Sequence, residues 1–139
     1  MDVIRGETWN RPIPNGEAEY GEFYDACAEG RLLVQRCPLC DHVQFYPRPM
    51  CTRCAATPVW LECAGVGTVY TFTVVRQYRA EPFGSELPYA LAMIDLPEGP
   101  RMFGRLTGID PADVRIGMAV EAYAVEFEPG RAIVQWRPC

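Results

Sequence analysis

Two cysteine pairs, Cys37-Pro38-Leu39-Cys40 and Cys51-Thr52-Arg53-Cys54, stand ten residues apart in the first half of the chain. A CxxC turn presents two thiolates to one tetrahedral ion, and two such turns complete a closed four-sulfur site. Zinc suits that soft coordination, and a closed site is structural because no position is left for water or substrate. Cys37, Cys40, Cys51 and Cys54 are therefore expected to hold a structural zinc. A redox role for either pair lacks the alternating strand–helix context of a thioredoxin-like fold.

Between and around the pairs the sequence predicts short strands at Leu32–Arg36, Val43–Tyr46 and Val59–Leu61, a zinc ribbon over residues 31–62. So short a segment buries too little apolar surface to fold without its metal. Ahead of it, residues 1–14 read as an arm with no periodic packing. Asn15 then stands as a helix cap, and Tyr20, Phe23, Tyr24, Cys27 and Ala28 share one helical face ending at Gly30. Arm and amphipathic helix together occupy residues 1–30.

From residue 63 onward the pattern is β. Strands are expected at Thr68–Tyr78, Tyr89–Leu96, Met102–Leu106, Val120–Phe127 and Ile133–Trp136, with a helical turn opened by Asp110 and Pro111 after the third. That order predicts a five-stranded OB-type barrel over residues 63–139. The fold class is thus mainly β: a helical arm, a rubredoxin-like zinc ribbon and a C-terminal OB barrel.

Composition restricts the chemistry. The chain has 139 residues, a formal charge of −5, one histidine and, among its 13 basic residues, no lysine. Metallation takes the charge to about −7, because zinc ligands bind deprotonated. That charge opposes generic nucleic-acid binding, which needs a cationic footprint. Schiff-base catalysis is excluded, and His42, placed on the knuckle, is expected to lie exposed. Cys27, Cys63 and Cys139 read as buried or terminal thiols, and Asp95, Glu98, Asp110 and Asp113 as caps and solvated turns. No catalytic residue is assigned. No apolar run reaches the roughly 20 residues that span a bilayer. The seven cysteines without a leader-like N-terminus suggest a cytoplasmic location.

Several stretches in their order resemble a known family, the zinc-ribbon/OB-fold proteins that accompany thiolases and other acyl-CoA enzymes. They are Glu29-Gly30-Arg31-Leu32, Gln35-Arg36-Cys37, Phe45-Tyr46-Pro47-Arg48, Gly67–Val75, Pro88-Tyr89, Glu98-Gly99-Pro100-Arg101 and Asp113–Val120. The resemblance implies a non-catalytic accessory subunit in a hetero-oligomer. Its partner would be a thiolase or a thiolase-like aldolase, with steroid side-chain breakdown one possibility, and it would help to form a channel for a CoA thioester. A MaoC-like hydratase is the alternative partner, and a free-standing OB module for single-stranded nucleic acid the rival function. Within this frame, Trp9, Tyr20, Phe23 and Tyr24 are candidate partner contacts. Arg76, Tyr78, Arg79, Phe83 and Arg105 are candidate contacts to CoA or substrate, since guanidinium forks suit phosphates and aromatic rings stack on adenine. One departure is that Asp41 and Ala55 occupy the positions after each knuckle where the family usually has glycine.

Overall fold

A computed structural model describes residues 1–139. In chain order the elements are β1 (Asp2–Ile4), α1 (Glu19–Ala28), β2 (Leu32–Arg36), β3 (Val43–Gln44), β4 (Val59–Cys63), β5 (Val66–Val75), β6 (Tyr89–Asp95), β7 (Arg101–Leu106), β8 (Ala119–Glu128) and β9 (Arg131–Pro138). Short 3-10 turns lie at Phe83–Glu86 and Pro111–Asp113.

The barrel runs β8-β5-β6-β7-β9 and closes through a β8–β9 pairing, so the five-stranded OB expectation is met. Closure depends on what points inward. Ala90, Ala92, Ala122, Ala124 and Ala132 are buried, and this small lining makes room for Trp136, which is fully buried. Gly104 of β7 completes the space, since a Cβ there would stand 2.6 Å from the Trp136 ring. The β7–β9 seam itself rests on the single register pair Leu106–Trp136. The turn after β7 also forms as expected, with Asp110 Oδ1 accepting from the Ala112 amide at 2.9 Å.

The ribbon is a three-stranded sheet, β3-β2-β4. Helix α1 lies between ribbon and barrel and is tied to both. Trp60 Nε1 donates to Glu22 Oε2 at 2.6 Å, and Arg131 Nε donates to Asp25 Oδ1 at 3.0 Å. A single cluster of 22 buried residues runs from Phe23 and Cys27 on α1 through Leu32–Val34 into the barrel. Gly30, at φ 81°, closes the helix in a Schellman arrangement, with Gly30 N donating to Cys27 O and Arg31 N to Ala26 O.

Three expectations are corrected. Asn15 does not cap the helix: its Oδ1 accepts from the Glu17 amide in a turn before it, and Ala18 holds the N-cap position. The arm is not featureless, because Asp2–Ile4 adds a parallel strand beside β8; three residues are too few for periodicity to show. The first barrel strand ends at Val75, so Arg76 and Tyr78 begin the following loop.

Candidate functional site: a zinc ribbon and an aromatic cleft

The sulfur atoms of Cys37, Cys40, Cys51 and Cys54 lie within 4.8 Å of one another. Cys37 and Cys54 are 3.4 Å apart and Cys40 and Cys51 3.7 Å apart. Tetrahedral zinc with Zn–S bonds of about 2.3 Å requires edges of about 3.8 Å, so the four thiols fit the ion. Each knuckle is built the same way. Asp41 N donates to Cys37 O and Cys37 N to His42 O, while Ala55 N donates to Cys51 O and Cys51 N to Ala56 O. Asp41 and Ala55 take φ 60° and 64°, the left-handed turn that glycine makes more easily, so the departure from glycine leaves the knuckle geometry intact. The amides of Cys40 and Leu39 draw the Cys37 thiol down to about 7, toward the thiolate a metal needs.

Two buried glutamines, which no sequence pattern marks, brace the ribbon. Gln44 Nε2 donates to Gln35 Oε1 at 3.0 Å, and Gln35 Oε1 also accepts from Arg48 N at 2.9 Å. Gln44 Oε1 accepts from Thr52 N at 2.9 Å, which fixes the second knuckle against the first hairpin. His42 is half-buried where exposure was expected, because its Nε2 reaches Thr52 Oγ1 at 3.1 Å across the knuckles.

The second feature is a cleft of about 500 Å³ where the arm, α1, ribbon and barrel meet. Its wall includes Trp9, Tyr20, Phe23 and Tyr24 from the first candidate set and Phe83 and Arg105 from the second. Groups proposed for two separate purposes thus share one site. The ring contacts are continuous: Phe23 to Phe45 at 5.4 Å, Tyr24 to Phe127 at 5.3 Å, Trp9 to Phe127 at 5.9 Å. Phe23 is only 5% exposed, so it packs on the ribbon within its own chain and is withdrawn as a partner contact. Trp9, Tyr20 and Tyr24 are half-buried and face the cleft.

Of the second set, Arg76, Tyr78 and Arg79 lie outside the wall on an exposed loop. Tyr78 still meets Phe83 edge-on at 5.7 Å, and Phe83 lies 6.4 Å from Tyr89, so rings lead from that loop toward the cleft. Arg105 is paired with Glu86 and lies over the Tyr89 ring at 4.6 Å. Missed from the sequence were Arg11, Phe45, Tyr46, Tyr89 and Phe103. Only the Phe45-Tyr46 doublet beside the knuckle offered a signal.

Two thiols outside the zinc site, Cys27 and Cys63, are buried and held in the protonated form. Burial pushes Cys27 up to about 12, and burial with the Glu98 carboxylate does the same to Cys63.

The chain matches the family described as the ChsH2 rubredoxin-like zinc ribbon domain over residues 25–59 and the ChsH2 C-terminal OB-fold domain over 60–125. A solved Ltp2-ChsH2(DUF35) aldolase is similar at TM-score 0.78 and 32% identity, over 92% of this chain and 98% of that one. This chain belongs to the DUF35 family. The resemblance, the mainly β fold and the zinc cofactor expected from sequence are all confirmed.

Among DUF35 relatives, a scaffold protein of Methanocaldococcus jannaschii is 38% identical over 66% of this chain and 65% of its own length. The probable enoyl-CoA hydratase alpha subunit of Thermomonospora curvata is 33% identical over 92% of this chain. The 3-oxo-4,17-pregnadiene-20-carboxyl-CoA hydratase alpha subunit of Mycobacterium tuberculosis is 32% identical over 90%. The chain spans only 40% and 39% of those two hydratase subunits. No helix is long and apolar enough to cross a membrane.

Proposed function

We propose that this chain is a non-catalytic accessory subunit of an enzyme acting on acyl-CoA thioesters, with a thiolase-superfamily protein as its partner. The observation that carries this reading is the makeup of the cleft wall. It contains aromatic and aliphatic side chains, two arginines and one glutamine, and no cysteine, histidine, serine, lysine or carboxylate. Such a surface can bind and orient a ligand, but it has no nucleophile and no conventional general base. Burial also raises the Tyr24 and Tyr46 phenols, which makes those two poorer bases still. The partner would supply the reacting groups, while this chain shapes part of the acyl-CoA channel. Arg76, Tyr78 and Arg79 would line its outer rim, and Trp9, Tyr20 and Tyr24 the side toward the partner.

The aldolase complex of the similar solved structure supports a thiolase-like aldolase as that partner, and the pregnadiene-carboxyl-CoA relative supports a steroid acyl group. Reduced zinc thiolates and a CoA substrate are consistent with the cytoplasm. A MaoC-like hydratase is the second reading, favoured by the two hydratase alpha subunits among the relatives. The test is co-expression with a thiolase-superfamily protein and, separately, with a MaoC-like hydratase. Stable co-elution with the first, and thioester turnover only by the pair, is the expected result. Turnover by the isolated chain, or a thiolase-like protein that neither binds it nor gains activity from it, defeats the proposal.

A further inference from the structure

The chain is acidic overall, yet the only formal charges on the cleft wall are the guanidiniums of Arg11 and Arg105. Both turn to one carboxylate outside the wall. Arg11 Nη2 donates to Glu86 Oε1 at 2.6 Å, and Arg105 Nη1 donates to Glu86 Oε2. The three side chains are 20–23% exposed, too dry for a solvated surface pair. Partial burial favours protonation of Glu86, but the hydrogen bonds from Arg11 and Arg105 outweigh it and hold the carboxyl below its usual range.

Arg11 belongs to a segment held only by side chains. Residues 6–15 make no backbone–backbone hydrogen bond. Trp9 rests on Phe127, its Nε1 donates to Pro12 O at 3.3 Å, and Arg11 reaches Glu86. Such a strap can shift without breaking a sheet or a helix.

We propose that Arg11 and Arg105 form an anion seat for a ligand whose ring-bearing apolar body occupies the aromatic cleft, and that Glu86 fills this seat as an internal competitor in the free chain. The seat lies in the cleft wall itself, so the ligand's acidic group must be close to its ring. Two sources share that chemistry: the adenosine 3′-phosphate end of a CoA ester, and a cyclic carboxylic acid. This inference deepens the proposed function but needs no partner to test. Its failure leaves the accessory role standing on co-elution, and failure of co-elution leaves the anion seat intact.

The test is fluorescence titration of the zinc-loaded chain with anilinonaphthalene sulfonate, an anionic ring probe, and with N-phenylnaphthylamine, its neutral counterpart. Glu86→Gln should tighten the anionic probe by roughly three- to tenfold, because two charged donors lose their carboxylate. Arg11→Gln, on the strap and away from the buried core, should weaken it by a similar factor. The neutral probe should move less than about twofold in either variant. Adenosine 3′,5′-bisphosphate and 1-naphthoic acid, added as competitors, then identify the source by which of them displaces the anionic probe. An anionic probe indifferent to Glu86→Gln, a neutral probe that moves equally, or displacement by neither competitor overturns the proposal.

Discussion

Replacing Phe23 by alanine should show how firmly the helix and the ribbon act as one unit. Its ring is 5% exposed and packs 5.4 Å from Phe45 of the ribbon and 5.7 Å from Tyr24. Deleting a buried phenylalanine costs about 3–5 kcal/mol in transfer and cavity terms. The lost ring pair with Phe45 accounts for about 1 kcal/mol of that. Total stabilities of about 5–15 kcal/mol make this a large fraction, so the variant should unfold at markedly lower urea. Phe23→Leu, which keeps most of the volume, should cost about 1–2 kcal/mol. Urea unfolding at fixed free zinc reads both values, and the metal must be held constant because its tighter binding to the folded ribbon adds to the measured stability. A cycle with Phe45→Ala isolates the ring pair, with a coupling of about 1 kcal/mol expected. If Phe23→Ala costs less than about 1 kcal/mol, or the cycle is additive within about 0.3 kcal/mol, the ring packing is not what joins helix to ribbon.

Other predictions concern the barrel seam and the zinc site. Gly104→Ala sets a methyl group 2.6 Å from Trp136 and should cost about 1–3 kcal/mol, with a shift in Trp136 emission as the ring is displaced. Gln44→Ala removes the amide that holds Thr52 and Gln35, and competition with a chromophoric chelator should show zinc affinity reduced about tenfold. Stripping zinc should dismantle the assembly with the partner and so abolish its activity, because the ribbon unfolds. An assembly that stays intact but inactive after chelation would mean the metal has a role beyond structure.

The sequence disclosed features governed by local rules. The knuckles follow from spacing, the Gly30 stop from backbone freedom, and the barrel strands from β-branched and aromatic runs. The interior of the barrel was less legible, because five small residues around Trp136 form a pattern only after the strands are laid side by side. The same holds for Gln35 and Gln44, which look like ordinary polar strand positions until the link between the knuckles folds over them.

The cleft was hardest to foresee, and the reason is physical. Its wall draws on the arm, α1, the ribbon and the strands β6, β7 and β9, with only a few side chains from each. No periodicity within one element marks a surface assembled in that way. The aromatic stripe of the helix divides. Phe23 is buried against Phe45 of the ribbon, while Tyr20 and Tyr24 stay half-buried in the cleft wall. The zinc therefore bears on the cleft indirectly: it holds the ribbon that carries Phe45 and Tyr46, and those adjoining rings share the cleft wall with Trp9 and Arg11. Loss of the metal should therefore remove the Phe45–Tyr46 part of the cleft wall along with the ribbon, which couples the conspicuous cysteines to the inconspicuous aromatic residues.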